Sequence, residues 1–234
     1  MPRHPAARRT APPPILLLAG SPGGRSDYRP VIAEALRASG KRRPAVAFLG
    51  AATDDDPRFM GWMRTLVTSA GPCTFQLAPV AGRKGAGGVA RGVIEAADVV
   101  FVGGGDVELG MRRLLERDLA GTLREKHAGG APFVGISAGA IMLARRWIRW
   151  RDPDDDASAE LFECLGLAPL LCDCHGEEDG WGELKALLRL AGGRSLGYGL
   201  RAGSAVRVAG DGSVDPAGGE VDRFQVRSGE VRDL

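Results

Sequence analysis

Pro132-Phe-Val-Gly135-Ile-Ser137-Ala-Gly139-Ala140 sets a short apolar run against a Gly-x-Ser-x-Gly turn and continues into the apolar stretch Ala138–Ala144. An apolar run that ends in closely spaced small residues and resumes at helical period reads as a buried strand turning directly into a helix. In that setting Gly135-Ile-Ser137-Ala-Gly139 is the nucleophile-elbow pattern, whose small neighbours let a strained serine project its hydroxyl from the end of a sheet. A chain with 35 glycines can produce the pattern by chance, and a second copy, Gly193-Arg-Ser195-Leu-Gly197, does occur. That copy follows a helix and leads into a strand, which is the wrong order. Ser137 is therefore the candidate nucleophile.

Outward from this turn the same alternation repeats. Ile15–Ala19, Ala45–Leu49, Cys73–Leu77 and Val99–Val102 read as strands, with Pro132–Ile136 as the fifth. Helical spacing between them predicts helices over Tyr28–Ser39, Pro57–Ser69, Val89–Ala96 and Leu109–Lys126. Strands alternating with helices call for a mostly parallel central sheet covered on both faces, a three-layer α/β architecture. After Trp147 the pattern changes. Ser195–Leu200, Ala205–Val208 and Phe224–Val226, separated by Gly and Asp, predict a C-terminal antiparallel extension. The acidic run Asp152–Glu160 reads as a solvated loop. Without a repeat or a linker, residues 15–234 are expected to form one domain behind a disordered tail over residues 1–14.

Composition narrows the partners. Among 234 residues, 31 basic and 29 acidic side chains give a net charge of +2, so no polyanion is implied. Aromatic residues are 6% of the chain, too sparse for stacking platforms along a nucleic-acid groove. Four cysteines do not make a disulfide scaffold in a chain of this length, and a reducing compartment is the simpler reading. The basic N-terminus followed by Ile15–Ala19 imitates a signal peptide, but its apolar stretch is shorter than the ~7–15 residues required. No apolar run approaches the ~20 residues of a membrane span. A cytoplasmic protein, bound to neither membrane nor nucleic acid, is expected.

A serine nucleophile needs a base. Of three histidines, His4 lies in the tail and His127 at a helix C-terminus, where a charged imidazole is ordinarily at home. His175, at the end of the apolar stretch Leu165–Cys174, remains. Gly103-Gly104-Gly105 follows the strand Val99–Val102 and allows close backbone approach at the sheet edge where α/β ligands bind. Neither Gly-x-Gly-x-x-Gly nor a Walker lysine is present, so a nucleotide fits poorly. An oxyanion hole made by the N–H groups of Gly105 and Ala138 fits better. Cys172-Asp173-Cys174-His175 imitates a zinc motif, yet an extended segment sends its side chains to alternate faces, so the four could not converge. Neither a metal nor another cofactor is expected.

Phe101-Val-Gly-Gly-Gly-Asp106, the Ser137 elbow, and Leu161-Phe-Glu-Cys-Leu-Gly-Leu-Ala-Pro169 ending at His175 together resemble the serine peptidase family of aspartyl dipeptidase (peptidase E) and cyanophycinase. The resemblance runs with gaps from about Ile15 to Val208. It implies the flavodoxin-like fold of class I glutamine amidotransferases, with Ser137 as nucleophile, His175 as base and Gly105 and Ala138 as oxyanion donors. For the third triad member it implies Asp152, fifteen residues after Ser137 as in the dipeptidase branch. The cyanophycinase branch uses a Glu whose place here is taken by Ala202 in Gly199-Leu-Arg-Ala202-Gly-Ser-Ala. Glu177 and Glu178 stand as local substitutes.

In substrate contact the resemblance puts Gly104 and Asp106, the latter where relatives carry Asn, together with Glu177 and Glu178. Relatives hold an acidic side chain with Arg residues after the His; here Glu177, Glu178, Asp179 and Glu183 occupy that neighbourhood. A neutral or basic residue on the acyl side of the cut bond is expected instead. The reading is a peptidase acting on small peptides. Another acyl hydrolase and a non-catalytic relative are the alternatives, and a homodimer is the assembly to look for.

Overall fold

The computed structural model describes residues 13–21, 26–82 and 86–234, so most of the expected tail lies outside the described residues. Ile15–Leu18 (β1), Arg29–Ala38 (α1), Ala45–Leu49 (β2), Pro57–Ala70 (α2), Thr74–Leu77 (β3), Ala86–Ala96 (α3) and Val99–Val102 (β4) follow the expected alternation. Val107–Glu116 (α4), Ala120–Ala128 (α5), Phe133–Ile136 (β5) and Ala138–Leu143 (α6) complete it. The five strands pair in parallel in the order β1-β5-β4-β2-β3.

Side chains of the inner strands β1, β2, β4 and β5 alternate between two covered faces, which is why those runs carry no polar positions, whereas the edge strand β3 exposes Thr74 and Gln76. Leu16, Leu18, Phe48, Phe101, Val134 and Ile136 pack with Val31, Ile32 and Leu36 of α1 and Met63 and Val67 of α2. Leu17, Val100, Val102 and Phe133 face the other way, against Ile94 of α3, Met111 and Leu114 of α4, Leu123 of α5 and all of α6. The sheet is thus the middle of three layers.

The long helix expected over Leu109–Lys126 is in fact two. Leu114, Leu119 and Leu123 are all fully buried. A five-residue step in a continuous helix turns a side chain roughly 140° away from the first, so Leu114 and Leu119 could not share a face. Asp118 takes a φ of 53° and breaks the helix between them.

Beyond α6 come Arg146–Trp150 (β6), Ala159–Glu163 (β7), Leu171–Cys174 (β8), Gly182–Ala191 (α7) and Leu196–Leu200 (β9). Ala205–Val208 (β10), Val214–Gly218 (β11), Val221–Arg227 (β12) and Glu230–Asp233 (β13) follow. The expected antiparallel extension divides. β10 and β11 add to the β1 edge of the main sheet, while β13-β12-β9-β8 form a second sheet in which β8 and β9 run parallel. β6 and β7 make a hairpin that the sequence reading did not foresee. This arrangement gathers the ends of β1, β4, β5 and β8 around one cleft. Among the described residues no helix is long and apolar enough to cross a membrane.

Candidate active site

Ser137 sits between β5 and α6 with φ 53° and ψ −123°, outside the regions an L-residue normally occupies. Its N–H donates to the Leu18 carbonyl at 2.8 Å, and its own carbonyl accepts from Ala140 N–H at 2.8 Å. The flanking glycines are demanded by packing. A Cβ on Gly135 would stand 2.5 Å from the Gly139 carbonyl oxygen, and one on Gly139 only 2.2 Å from that of Val102. Small residues therefore let α6 press against β4 and β5, and the pressure holds Ser137 in its strained turn.

The Gly103–Gly105 segment runs beside it. A Cβ on Gly104 would lie 3.1 Å from the Ser137 Cβ. Gly105 has φ 135°, and a Cβ there would overlap the Ala52 carbonyl oxygen at 2.1 Å. That same oxygen accepts from Asp106 N–H at 2.8 Å and pins the loop. Among the described residues the N–H groups of Gly104, Gly105 and Ala138 have no hydrogen-bond acceptor, so they are available to a ligand.

His175 follows β8 with φ 66°, its N–H bound to the Leu200 carbonyl at 3.1 Å. The positive φ ends the strand's alternation and brings the ring into a cleft of about 370 Å³ shared with Ser137, Gly104 and Gly105. Nε2 faces Gly20 on that cleft's wall, 3.4 Å from where a Cβ would be. Burial lowers the His175 pKa below its ordinary 6.5, while the Glu177 charge and the Ala19 carbonyl oppose the shift. The imidazole is thus neutral near pH 7, the form a general base requires. His127 stands at the opposite end of β5, edge-on to Phe133 with ring centroids 5.5 Å apart. Burial lowers its pKa, which works against the charged helix-end role expected of it. Ser195 donates to the Gly192 carbonyl at 2.6 Å and lines a different cleft.

A strained serine on a strand–helix turn, a histidine at its cleft and free amides beside both can be compared with known proteins. Residues 15–214 match Peptidase family S51. The chain belongs to that family. It is 33% identical to a Peptidase E of Streptomyces coelicolor over 146 residues, 58% of each chain. Against a Peptidase E of Haemophilus influenzae it is 44% identical over 50 residues, 21% of this chain and 23% of that one. The chain thus spans about a fifth to under three fifths of the length of the curated relatives it matches. A crystal structure of a peptidase from an acI-B1 Actinobacterium superposes with a TM-score of 0.71 at 15% identity, covering 96% of this chain and 98% of that one. A putative Peptidase E protein from Listeria monocytogenes EGD-e gives 0.63 at 14%, covering 89% and 99%. At those identities the likeness is one of fold, α/β with a mostly parallel central sheet and antiparallel additions.

Within this S51 site the remaining residues separate. The structure does not bring Asp152 to His175. It lies exposed in the β6–β7 turn, its carboxylate accepting from Asp154 N–H at 3.1 Å, and takes no part in the cleft wall. Through Ser158 the acidic turn satisfies its own amides, the solvated-loop behaviour its composition suggested, but Ala159 and Glu160 at the end of that run belong to β7 and are half-buried. Glu178 is exposed and lines neither cleft at the site. Glu177 is half-buried and does not line the Ser137 cleft; its Oε1 accepts from Ala202 N–H at 2.9 Å. Asp106 caps α4 by accepting from Leu109 N–H at 2.7 Å. It borders a second cleft of about 1090 Å³, which meets the first at Gly105 and is also lined by Glu108, Asp179, Glu183, Arg149 and Arg189.

Two residues of this neighbourhood had no role assigned from the sequence. Asp173 is 5% exposed, and burial pushes its carboxyl up to about 7. Trp181 is buried at the start of α7, its indole N–H donating to Asp222 Oδ2 at 2.8 Å. The alternation argued for Cys172-Asp173-Cys174 did separate Asp173 from the cysteines: Cys172 Sγ points to the Ala140 carbonyl and Cys174 Sγ to that of Ser137. Burial pushes both thiols well above their ordinary range, which makes them poor nucleophiles. Among the described residues no cluster of three or more His, Cys, Asp or Glu is arranged to hold a metal.

Proposed function

We propose that this S51 chain is a serine peptidase that hydrolyses small peptides through an acyl-enzyme on Ser137. Neutral His175 takes the hydroxyl proton as Oγ attacks the scissile carbonyl carbon. The resulting oxyanion accepts hydrogen bonds from Gly105 N–H and Ala138 N–H. The C–N bond then breaks as His175 returns the proton to the leaving amine, and water repeats the sequence on the ester. The observation that carries this reading is the meeting of strained Ser137, His175 and the unoccupied amides of Gly104 and Gly105 in one cleft.

The substrate class follows from the cleft wall. Tyr28, Phe59, Trp62, Met63, Leu66 and Ile136 give it an apolar lining, and among the described residues no Lys or Arg faces it. An anchored substrate carboxylate requires a cationic donor, preferably a bidentate Arg. Small peptides with an apolar residue at the cut bond fit the wall, and acidic ones do not.

An active-site-directed phosphonate tests the chemistry, because covalent mass addition requires an activated serine. One adduct on the wild type and none on Ser137→Ala is expected, with peptide hydrolysis falling by about 10⁶ in the variant. Adduct formation or near-native turnover in Ser137→Ala sinks the assignment. Hydrolysis of esters but of no peptide would place the chain among other acyl hydrolases.

A further inference from the structure

His175 Nδ1 and Glu177 Oε2 are both buried and both without a hydrogen-bond partner among the described residues. One can donate and the other accept, and they belong to residues two apart in a single turn. Unpaired buried polar atoms are costly, and two complementary ones together suggest an interaction that completes only in the working enzyme. Catalytic hydrogen bonds are often loose before substrate excludes water.

The turn that carries them is held on every side. Glu177 Oε1 accepts from Ala202 N–H at 2.9 Å. Trp181 N–H donates to the Gly176 carbonyl at 2.7 Å, and the Trp181 ring fills the space beside Gly176 and Gly199, where a Cβ on either would lie 2.7 Å from it. Arg201, paired with Asp222, also feels the Glu177 charge.

Resting on the reading of Ser137 and His175 as nucleophile and base, we propose that Glu177 is the positioning carboxylate of His175. Its Oε2 accepts the Nδ1 proton, which leaves Nε2 unprotonated toward the cleft and stabilises the imidazolium formed during attack. The bond from Ala202 N–H holds the Glu177 carboxylate between the His175 turn and the end of β9. The other ionisable groups around the turn are Asp173 and Cys174 on β8, Tyr28 before α1, Asp179 and Glu183 at the start of α7, and Arg201 after β9. None of these charges acts on His175 as Glu177 does.

The test is NMR titration of His175, assigned by removing His4 and His127, in the wild type and in Glu177→Gln. Gln retains an oxygen for Ala202 N–H and removes only the charge. The wild type should show the Nδ1–H tautomer and a His175 pKa about one unit above that of the variant. Equal pKa values in the two proteins overturn the proposal, whether or not either hydrolyses a peptide. A wild type that titrates as expected yet forms no phosphonate adduct overturns the peptidase reading and leaves this pairing standing.

Kinetics supply the second arm. Glu177→Gln should lose about 10²–10⁴ in kcat with KM little changed, and the acid limb of kcat/KM should move to lower pH. Glu177→Ala/Ala202→Glu should regain at least about tenfold over Glu177→Ala. A loss confined to KM would make Glu177 a substrate contact instead, against the proposal.

Discussion

Asp173 is the residue whose environment opposes its own charge most plainly. Its Oδ1 accepts from Cys174 N–H at 2.6 Å, which favours the carboxylate. Burial, and after it the charges of Glu183, Asp179 and Glu177, outweigh that bond and carry the pKa from 3.8 to about 7. The folded protein thus binds a proton that the unfolded chain has released between those two values. The stability contributed by the protonated group is complete below about pH 3.8, falls as pH rises and is gone above about 7. Asp173→Asn keeps an oxygen for the Cys174 amide and carries no charge. It should stabilise the fold near pH 8 by at most about 4 kcal/mol, at about 1.4 kcal/mol per pKa unit. The gain should shrink steadily toward about pH 4. Denaturant unfolding of both proteins across that range checks it. A gain independent of pH, or none at the alkaline end, would mean that Asp173 is not held protonated.

At the scale of elements, the site depends on how closely α6 approaches β4. Gly139→Ala would drive a Cβ to 2.2 Å from the Val102 carbonyl, backbone against backbone, with no flexible side chain to yield. A loss of at least about 3 kcal/mol is expected. Gly92→Ala, an exposed position in α3 with nothing within 4 Å, should instead stabilise by about 0.5–1 kcal/mol. Thermal melts of the pair separate close packing from glycine content alone; similar shifts in both would refute the packing argument. The contrast also explains what the sequence reveals. The elbow, the glycine run and the five parallel strands are local patterns, readable within ten residues each. The β6–β7 hairpin is not, because Arg146 and Arg149 look solvated until paired across the ladder with Glu163 and Glu160. The α4–α5 break hides for a related reason, since only the fold shows that Leu114 and Leu119 must both be buried. The Glu177–Ala202 contact spans 25 residues and two elements, and no spacing rule announces it.

At the scale of the molecule, two clefts meet at Gly105 among the described residues, one apolar and holding Ser137 with His175, the other larger and carrying charges of both signs. A peptide crossing the oxyanion loop would set an apolar side chain against Phe59 and Trp62, whose rings meet edge to face at 6.1 Å. Its charged terminus would extend toward Asp106, Asp179 and Glu183. Trp62 is 53% exposed, a large apolar surface left at the cleft mouth for a ligand to cover. Its contact with an apolar side chain should be worth about 1–3 kcal/mol, so Trp62→Ala should lower kcat/KM for Met-Leu by roughly 10- to 200-fold. The loss for Ala-Leu should be much smaller, because alanine reaches less of the ring. The dipeptide series Ala-Leu, Met-Leu, Lys-Leu and Asp-Leu on both proteins decides the matter. Should Asp-Leu exceed the others by about tenfold or more, a cation must reach the cut bond, and the apolar reading of the cleft fails. Should Trp62→Ala lower all four equally, the ring supports the wall without sorting substrates, and specificity resides in the charged cleft.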